Sequence, residues 1–148
     1  MKYIDKQPFG FYIAMLFRLS RTNIEPLART LGLTGSQIPF MASIFKSPGI
    51  NQDEISAIHY IDKAATARQL SKLEESDFIV RKTDPANRRK KQVFPTEHAL
   101  SKEAEFWQML SESNQRSLDG LSQQECQQFT KLLAKALHNQ IHYYQKTQ

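Results

Sequence analysis

Arg81-Lys-Thr-Asp-Pro-Ala-Asn-Arg-Arg-Lys-Lys91 holds six cations and one anion, so its net charge of +5 equals that of the whole chain. Asp84-Pro-Ala-Asn87 is turn material, because Pro pre-sets φ and the Asp and Asn side chains bond back to their own backbone. On either side, Phe78 to Thr83 and Lys91 to Phe94 read as short strands. The stretch is therefore a β-hairpin with a cationic tip. A focused positive patch on an otherwise neutral chain is the electrostatic footprint of a nucleic-acid binder.

The segment just before the hairpin points the same way. Asp62 is a helix cap, and the helix it opens runs to about Ser76. Thr66, Leu70 and Leu73 fall on its inner face. On the opposite face Arg68 and Lys72 lie about 40° apart at roughly 100° per residue. Ala64 and Ala65 flank them near the helix start, and Gln69 lies at the edge. Asp77 is expected in the left-handed stop position. Upstream, Asn51-Gln-Asp-Glu54 is a helix start with Asn as cap and acids in the first turn. Ile55 and Ile58 are expected to form the buried side of that short helix. His59-Tyr60-Ile61 makes a tight connection to Asp62.

Helix, tight turn, helix and β-hairpin form the winged helix-turn-helix layout. Small residues at Ala64 and Ala65 would let the second helix approach a DNA backbone closely. Arg68 suits a bidentate contact to guanine, Gln69 a pair with adenine, and Lys72 a phosphate. Arg88 and Arg89 at the tip suit the negative potential of a narrow minor groove. Lys90, Lys91, Arg81 and Lys82 would meet flanking phosphates. Asp84 is expected to bridge to Arg88 or Arg89 across the hairpin base. Each cluster alone could be a solvated surface; their adjacency favours one shared interface.

Outward from this centre the chain is α-rich. Phe9 to about Leu31 reads as a long helix, with Pro26 expected to kink or interrupt it and Gly32 to stop it. Thr34-Gly-Ser-Gln37 has the form of a capping box, opening a helix to about Ser47 with Ile38, Met41, Ile44 and Phe45 on one face. Pro48-Gly49 breaks the chain. Thr96 is expected to cap one long helix carrying Leu100, Ala104, Trp107 and Met109 or Leu110. Ser122-Gln-Gln-Glu125 is a further capping box before a final helix with Phe129, Leu132, Leu133, Ala136, Leu137, Ile141 and Tyr144. The expected fold is mainly α with a small β-hairpin wing. Residues 33–96 form the winged helix, and 1–32 and 97–148 contribute N- and C-terminal dimerisation helices. Neither end is needed to complete the winged helix, so their apolar faces are expected to meet a second copy.

The chain has 148 residues, of which 40% are apolar and 24% charged. A sequence pI near 9.4 fits a polyanionic partner. One cysteine, Cys126, excludes an intramolecular disulfide and suits a reducing cytoplasm. The apolar run Phe9 to Phe17 is followed directly by Arg18 and Arg21, has no small-x-small cleavage pattern, and is too short to span a bilayer. Cys126 has no close cation in sequence and reads as an inert thiol. His138 and His142 are spaced i,i+4 on the last helix but lack an identifiable third ligand, and His59 and His98 stand apart. No phosphate loop, Ser/His/Asp order or paired carboxylates stand out. Catalytic residues, metal ligands and cofactors are therefore expected to be none.

The residues Asp62-Lys-Ala-Ala-Thr-Ala-Arg-Gln-Leu-Ser-Lys-Leu-Glu-Glu75, Phe78-Ile79, Asp84-Pro-Ala-Asn-Arg-Arg89 and Thr96-Glu97 resemble the MarR family of bacterial transcription regulators. The likeness extends to the Leu33-Thr34-x-x-Gln37 helix start and to helices at both ends. It departs from the family's usual residues at Ala65, Thr66, Ala67, Asp77, Asn87, Pro95 and Ala99, which leaves the operator sequence open. The resemblance implies a homodimer, a recognition helix in the major groove, a wing in the minor groove and a pseudo-palindromic double-stranded DNA operator. It also implies a pocket for a small aromatic ligand. Tyr12, Phe17, Phe40, Phe45 and His59 could line one, but each is read first as ordinary core or interface, and the ligand contacts stay unknown. The reading is a ligand-responsive repressor in the cytoplasm, with no membrane partner. The alternative is a winged-helix module that docks an acidic protein.

Overall fold

The computed structural model describes residues 4–85, 87–88 and 90–147. In chain order the elements are α1 (Phe9–Thr30), α2 (Ile38–Lys46), α3 (Gln52–His59), α4 (Lys63–Glu75), β1 (Ile79–Thr83), β2 (Lys91–Pro95), α5 (Glu97–Ser101), α6 (Glu103–Ser117) and α7 (Gln123–Lys146). The fold is mainly α with one antiparallel hairpin, paired from Ile79↔Pro95 to Thr83↔Lys91. Contacts divide the chain into two units, one ending at Ser113 and the other beginning at Asn114.

The first unit holds the core. Ala28, Leu31, Met41, Ile44, Ile55, Leu70, Leu73, Phe78, Ile79 and Val93 are buried together, and Ala99, Phe106 and Met109 join them. The alternation of β1 and β2 places Ile79 and Val93 on the inner face of the hairpin. A short segment before α3 extends this pairing. Gly49 N–H donates to Val93 O, Val93 N–H donates to Ile50 O, and Asn51 bridges to Gln92. Gly49 makes that approach at φ +92°, and a Cβ there would stand 3.3 Å from the Phe94 ring. A side chain at this position would be both strained and crowded.

Local chemistry explains most boundaries. Asn51 and Glu54 close a full capping box on α3. Asp62 Oδ1 accepts from the Ala65 N–H and starts α4. Tyr60 at φ 52° and Asp77 at φ 58° take the left-handed positions that end α3 and follow α4.

Four expectations change. Pro26 does not interrupt α1, which continues past it to Thr30. The lost N–H costs one backbone bond, and the tertiary packing of Ala28 and Leu31 outweighs it. The Thr34 box is half formed, because α2 begins only at Ile38. Gln37 Oε1 accepts from the Thr34 N–H and hydroxyl, so the pair stabilises a tight turn instead of a helix end. Ile58 is 57% exposed, since α3 needs only Ile55 and Ser56 inward. The long helix expected after Thr96 is split at Lys102 into α5 and α6. Lys102 Nζ donates to Leu31 O across the core, Phe106 is buried, and Leu100 and Ala104 face outward.

The second unit contains α7. Ser122 and Glu125 close a capping box at its start, and none of its residues is buried. Phe129, Leu132, Leu133, Leu137, Tyr143 and Tyr144 are all exposed. Cys126 is half-buried, with Sγ 3.8 Å from Leu121 O. Among the described residues no helix is long and apolar enough to cross a membrane.

Candidate nucleic-acid interface

Helix α4 is held from below by apolar and polar contacts together. Thr66, Leu70 and Leu73 are buried. The Thr66 hydroxyl donates to Asp62 O and accepts from Ser56 Oγ at 3.0 Å, which ties α4 to α3 through a satisfied buried pair. At the helix start, Lys63 Nζ lies 2.8 Å from Asp53 Oδ1. That hydrogen bond and charge, with Lys90 adding a smaller attraction, hold the Asp53 carboxyl below the usual carboxylate range.

Anchoring one face leaves the other free. Ala64, Arg68 and Lys72 are exposed, and Ala65 is half-buried under the Asp62 cap. Arg68 and Lys72 carry no ion pair among the described residues. Gln69 is half-buried with Oε1 shut off from solvent and without a donor among the described residues. Such an unpaired buried acceptor is costly.

The hairpin tip is closed by its backbone. Asp84 N–H donates to Lys90 O at 3.0 Å, Asn87 N–H to Asp84 O at 3.2 Å, and Lys90 N–H to Asn87 O at 2.8 Å. Arg88, Lys90 and Lys91 are exposed. Arg89 lies outside the described residues, and with it one of the two partners expected for Asp84. Lys90 and Lys91, with Arg81, Asn51, Gln52 and Asp53, line a cleft of about 310 Å³ between the hairpin and the start of α3.

The cations of β1 divide by face. Lys82 points outward, with Nζ 5.2 Å from the Phe94 ring centroid. Arg81 points inward to α4. Its Nη2 donates to Ser71 Oγ at 2.8 Å, and its Nε lies 3.1 Å from Glu74 Oε2 as an ion pair not aligned for a hydrogen bond. The sequence places Arg81 at a flanking phosphate; in the structure its guanidinium contacts Ser71 and Glu74 of α4. The presence of Glu74 on the right turn of α4 was legible in the sequence, but not that Arg81 would reach it.

Of the aromatic residues named for a ligand pocket, Phe40 and His59 are in direct contact. Phe40 and Phe45 belong to the core. Phe17 is exposed, and Tyr12 Oη donates to Ile4 O. His59 stacks on Phe40 at 5.4 Å and sits 2.9 Å from Ser43 Oγ. Burial pushes its basicity below the ordinary histidine value, with a Pro39 carbonyl bond opposing in part. Among the described residues no cluster of His, Cys, Asp and Glu could hold a metal ion.

Comparison with known proteins agrees with this arrangement. Residues 33–91 match the model of the MarR family. The chain is 30% identical over 126 residues to the uncharacterized HTH-type transcriptional regulator YybA of Bacillus subtilis (strain 168), covering 81% of this chain and 79% of that one. A MarR protein from Peptoclostridium difficile DA00132 superposes with TM-score 0.90 at 26% identity, over 100% of this chain and 96% of its own. A MarR family regulator of Listeria monocytogenes, solved in complex with a 26mer DNA, shares the fold at TM-score 0.84 and 24% identity, over 90% of this chain and 89% of its own. These likenesses establish that the chain belongs to the MarR family of winged helix-turn-helix transcriptional regulators.

Proposed function

We propose that this regulator works as a homodimer that binds a pseudo-palindromic operator in double-stranded DNA and represses transcription from it. Helix α4 enters the major groove, where Arg68 and Gln69 read bases, Ala64 and Ala65 allow close approach, and Lys72 meets a phosphate. The wing enters the minor groove through Arg88 and Arg89, with Lys90 and Lys91 on the flanking backbone. The observations that carry the reading are two exposed cations on the outer face of α4, without an ion pair among the described residues, and an exposed hairpin tip bearing Arg88, Lys90 and Lys91. The Listeria relative of the same fold was solved with DNA bound, which supports this reading.

Residues 33–96 are the DNA-binding part, and the helices on either side make the dimer. Supporting this are the apolar side chains that α1 and α7 expose, among them Phe9, Phe17 and Leu19 on the first and Leu132, Leu137 and Tyr143 on the second. A two-fold dimer sets its recognition helices about one DNA turn apart, roughly 34 Å. A small aromatic ligand acts only by favouring a dimer geometry whose recognition helices no longer fit adjacent grooves.

The test is capture of fragments from genomic DNA by the full chain, followed by footprinting. Half-sites one turn apart are expected, and Arg68→Ala should lose about 1–3 kcal/mol of binding and relax base preference at one position. Unchanged preference removes Arg68 as a base reader. Capture of acidic proteins with no DNA fragment would favour a protein-docking module instead.

A further inference from the structure

The wing and the recognition helix can read one duplex together only if the distance between them is fixed. A two-stranded hairpin is weak on its own, and its tip stands beyond the last core side chain of the sheet. The inner face of β1 carries Ile79, then Arg81, then Thr83. Ile79 is buried and Thr83 is exposed, so Arg81 stands at the boundary between core and solvent. Its cross-strand partner is the buried Val93. From that position it crosses to α4 and makes two contacts, to Ser71 Oγ at 2.8 Å and to Glu74 Oε2 at 3.1 Å. Ser71 and Glu74 are three residues apart and so share a side of the helix. Ser71 in turn lies three residues from the exposed Arg68, on the neighbouring stripe. The guanidinium is planar and forked, so a two-point contact fixes its orientation in a way that an ammonium would not.

We propose that the Arg81–Glu74–Ser71 contact is the strut that sets the height of the hairpin tip relative to α4, which makes Arg81 and Glu74 positioning residues for DNA binding and not DNA contacts. The proposal rests on the interface described under Proposed function. It has a consequence opposite to simple electrostatics. Glu74 is an anion beside a surface meant for DNA, so removing it should raise affinity if charge alone mattered. Loss of the strut should lower affinity, because the wing must then be ordered at the moment of binding.

The experiment compares Glu74→Ala, Arg88→Ala and the double variant of the full chain on captured operator DNA. The strut predicts that Glu74→Ala binds on the order of 3- to 10-fold more weakly, and that the factor lost on Arg88→Ala shrinks in its background. A variant that binds as well as the parent or better, with the Arg88 factor unchanged, overturns the proposal. A purely stabilising role for Glu74 would lower the melting temperature yet leave the Arg88 factor intact, which also overturns it. Amide relaxation of the DNA-free protein provides a separate readout. Order parameters at Lys82, Thr83, Asp84, Lys90 and Lys91 should fall in Glu74→Ala from about 0.85 toward 0.6 or below; unaltered values reject the strut. If Arg88→Ala costs nothing in the parent, it is the wing's role in DNA binding that fails, and the relaxation result still decides on the strut.

Discussion

Helices α4 and α7 begin alike and end up differently. Each opens with a side-chain cap, Asp62 on the Ala65 N–H in one and Ser122 on the Glu125 N–H in the other. Each carries apolar residues at helical spacing. Helix α4, with 13 residues, buries Thr66, Leu70 and Leu73. Helix α7, with 24 residues, buries none, and Leu137 is 58% exposed. The code for making a helix is local and the two share it. What a helix does with its apolar face depends on what stands opposite, and only α4 finds that within its own unit. Helix α4 keeps a polar face outward once its apolar face is buried, whereas α7 leaves its apolar face exposed.

The largest effect that could break this contrast is ionic. If the dimer neutralises roughly 6–10 phosphates, affinity should fall about 10³- to 10⁵-fold between roughly 50 and 200 mM salt. Removing Arg88 and Arg89 should flatten the slope by about one per cation, whereas Lys131→Ala and Lys135→Ala on α7 should leave it alone. A flat response in the parent, or a slope that follows the α7 lysines, would relocate the DNA surface.

Core substitution comes next. Leu70→Ala removes a side chain with no exposure and should cost about 2–5 kcal/mol in urea unfolding. Leu137→Ala in dilute protein should stay within about 0.5 kcal/mol, yet raise the dimer dissociation constant in sedimentation. Equal costs at both positions would show that α7 is packed within its own chain.

The caps should behave alike, because they are local. Asn51→Ala and Ser122→Ala are each expected to cost about 1 kcal/mol of helix stability, followed by hydrogen exchange in the first turns of α3 and α7. A negligible loss at Ser122 would mean that α7 draws its stability elsewhere.

The smallest effect is a pair of pH windows. His59 is held below the ordinary value of 6.5 by burial. The unfolded chain therefore takes up its proton first, so the winged helix should be fully stabilised above about pH 6.5 and weaken as pH falls below it. Glu125 is held below 4.5 by its bonds from Ser122, so its contribution to α7 should persist until pH falls through that lower range. Melting curves followed by a probe in each region should separate the windows, and His59→Gln should flatten the upper one. Coincident acid transitions would remove the distinction.

Much of the candidate interface was legible in the chain because its signals are short-range. Asn51 with Glu54, Asp62 before a helix and Asp84-Pro-Ala-Asn87 between strands each act over four residues or fewer. Spacing alone put Thr66, Leu70 and Leu73 inward and Arg68 and Lys72 outward. The misread positions answer to distant neighbours. Ile58 has the same chemistry as Ile55 but stays 57% exposed. Pro26 should disturb an isolated helix, yet α1 runs through it because its last turn is pinned in the core. Lys102 interrupts a continuous helical pattern, and its Nζ donates to the Leu31 carbonyl 71 residues earlier.

The amino-acid sequence by itself determined the order of elements, the cationic hairpin and the outward face of the recognition helix, since backbone caps, turn residues and the helical period need no partner to act. Only the tertiary structure decided that Arg81 reaches Ser71 and Glu74 on α4, and that Gln69 turns its amide oxygen away from solvent. Those outcomes depend on which side chain stands within about 3 Å of another, and that distance is set by packing elements far apart along the chain.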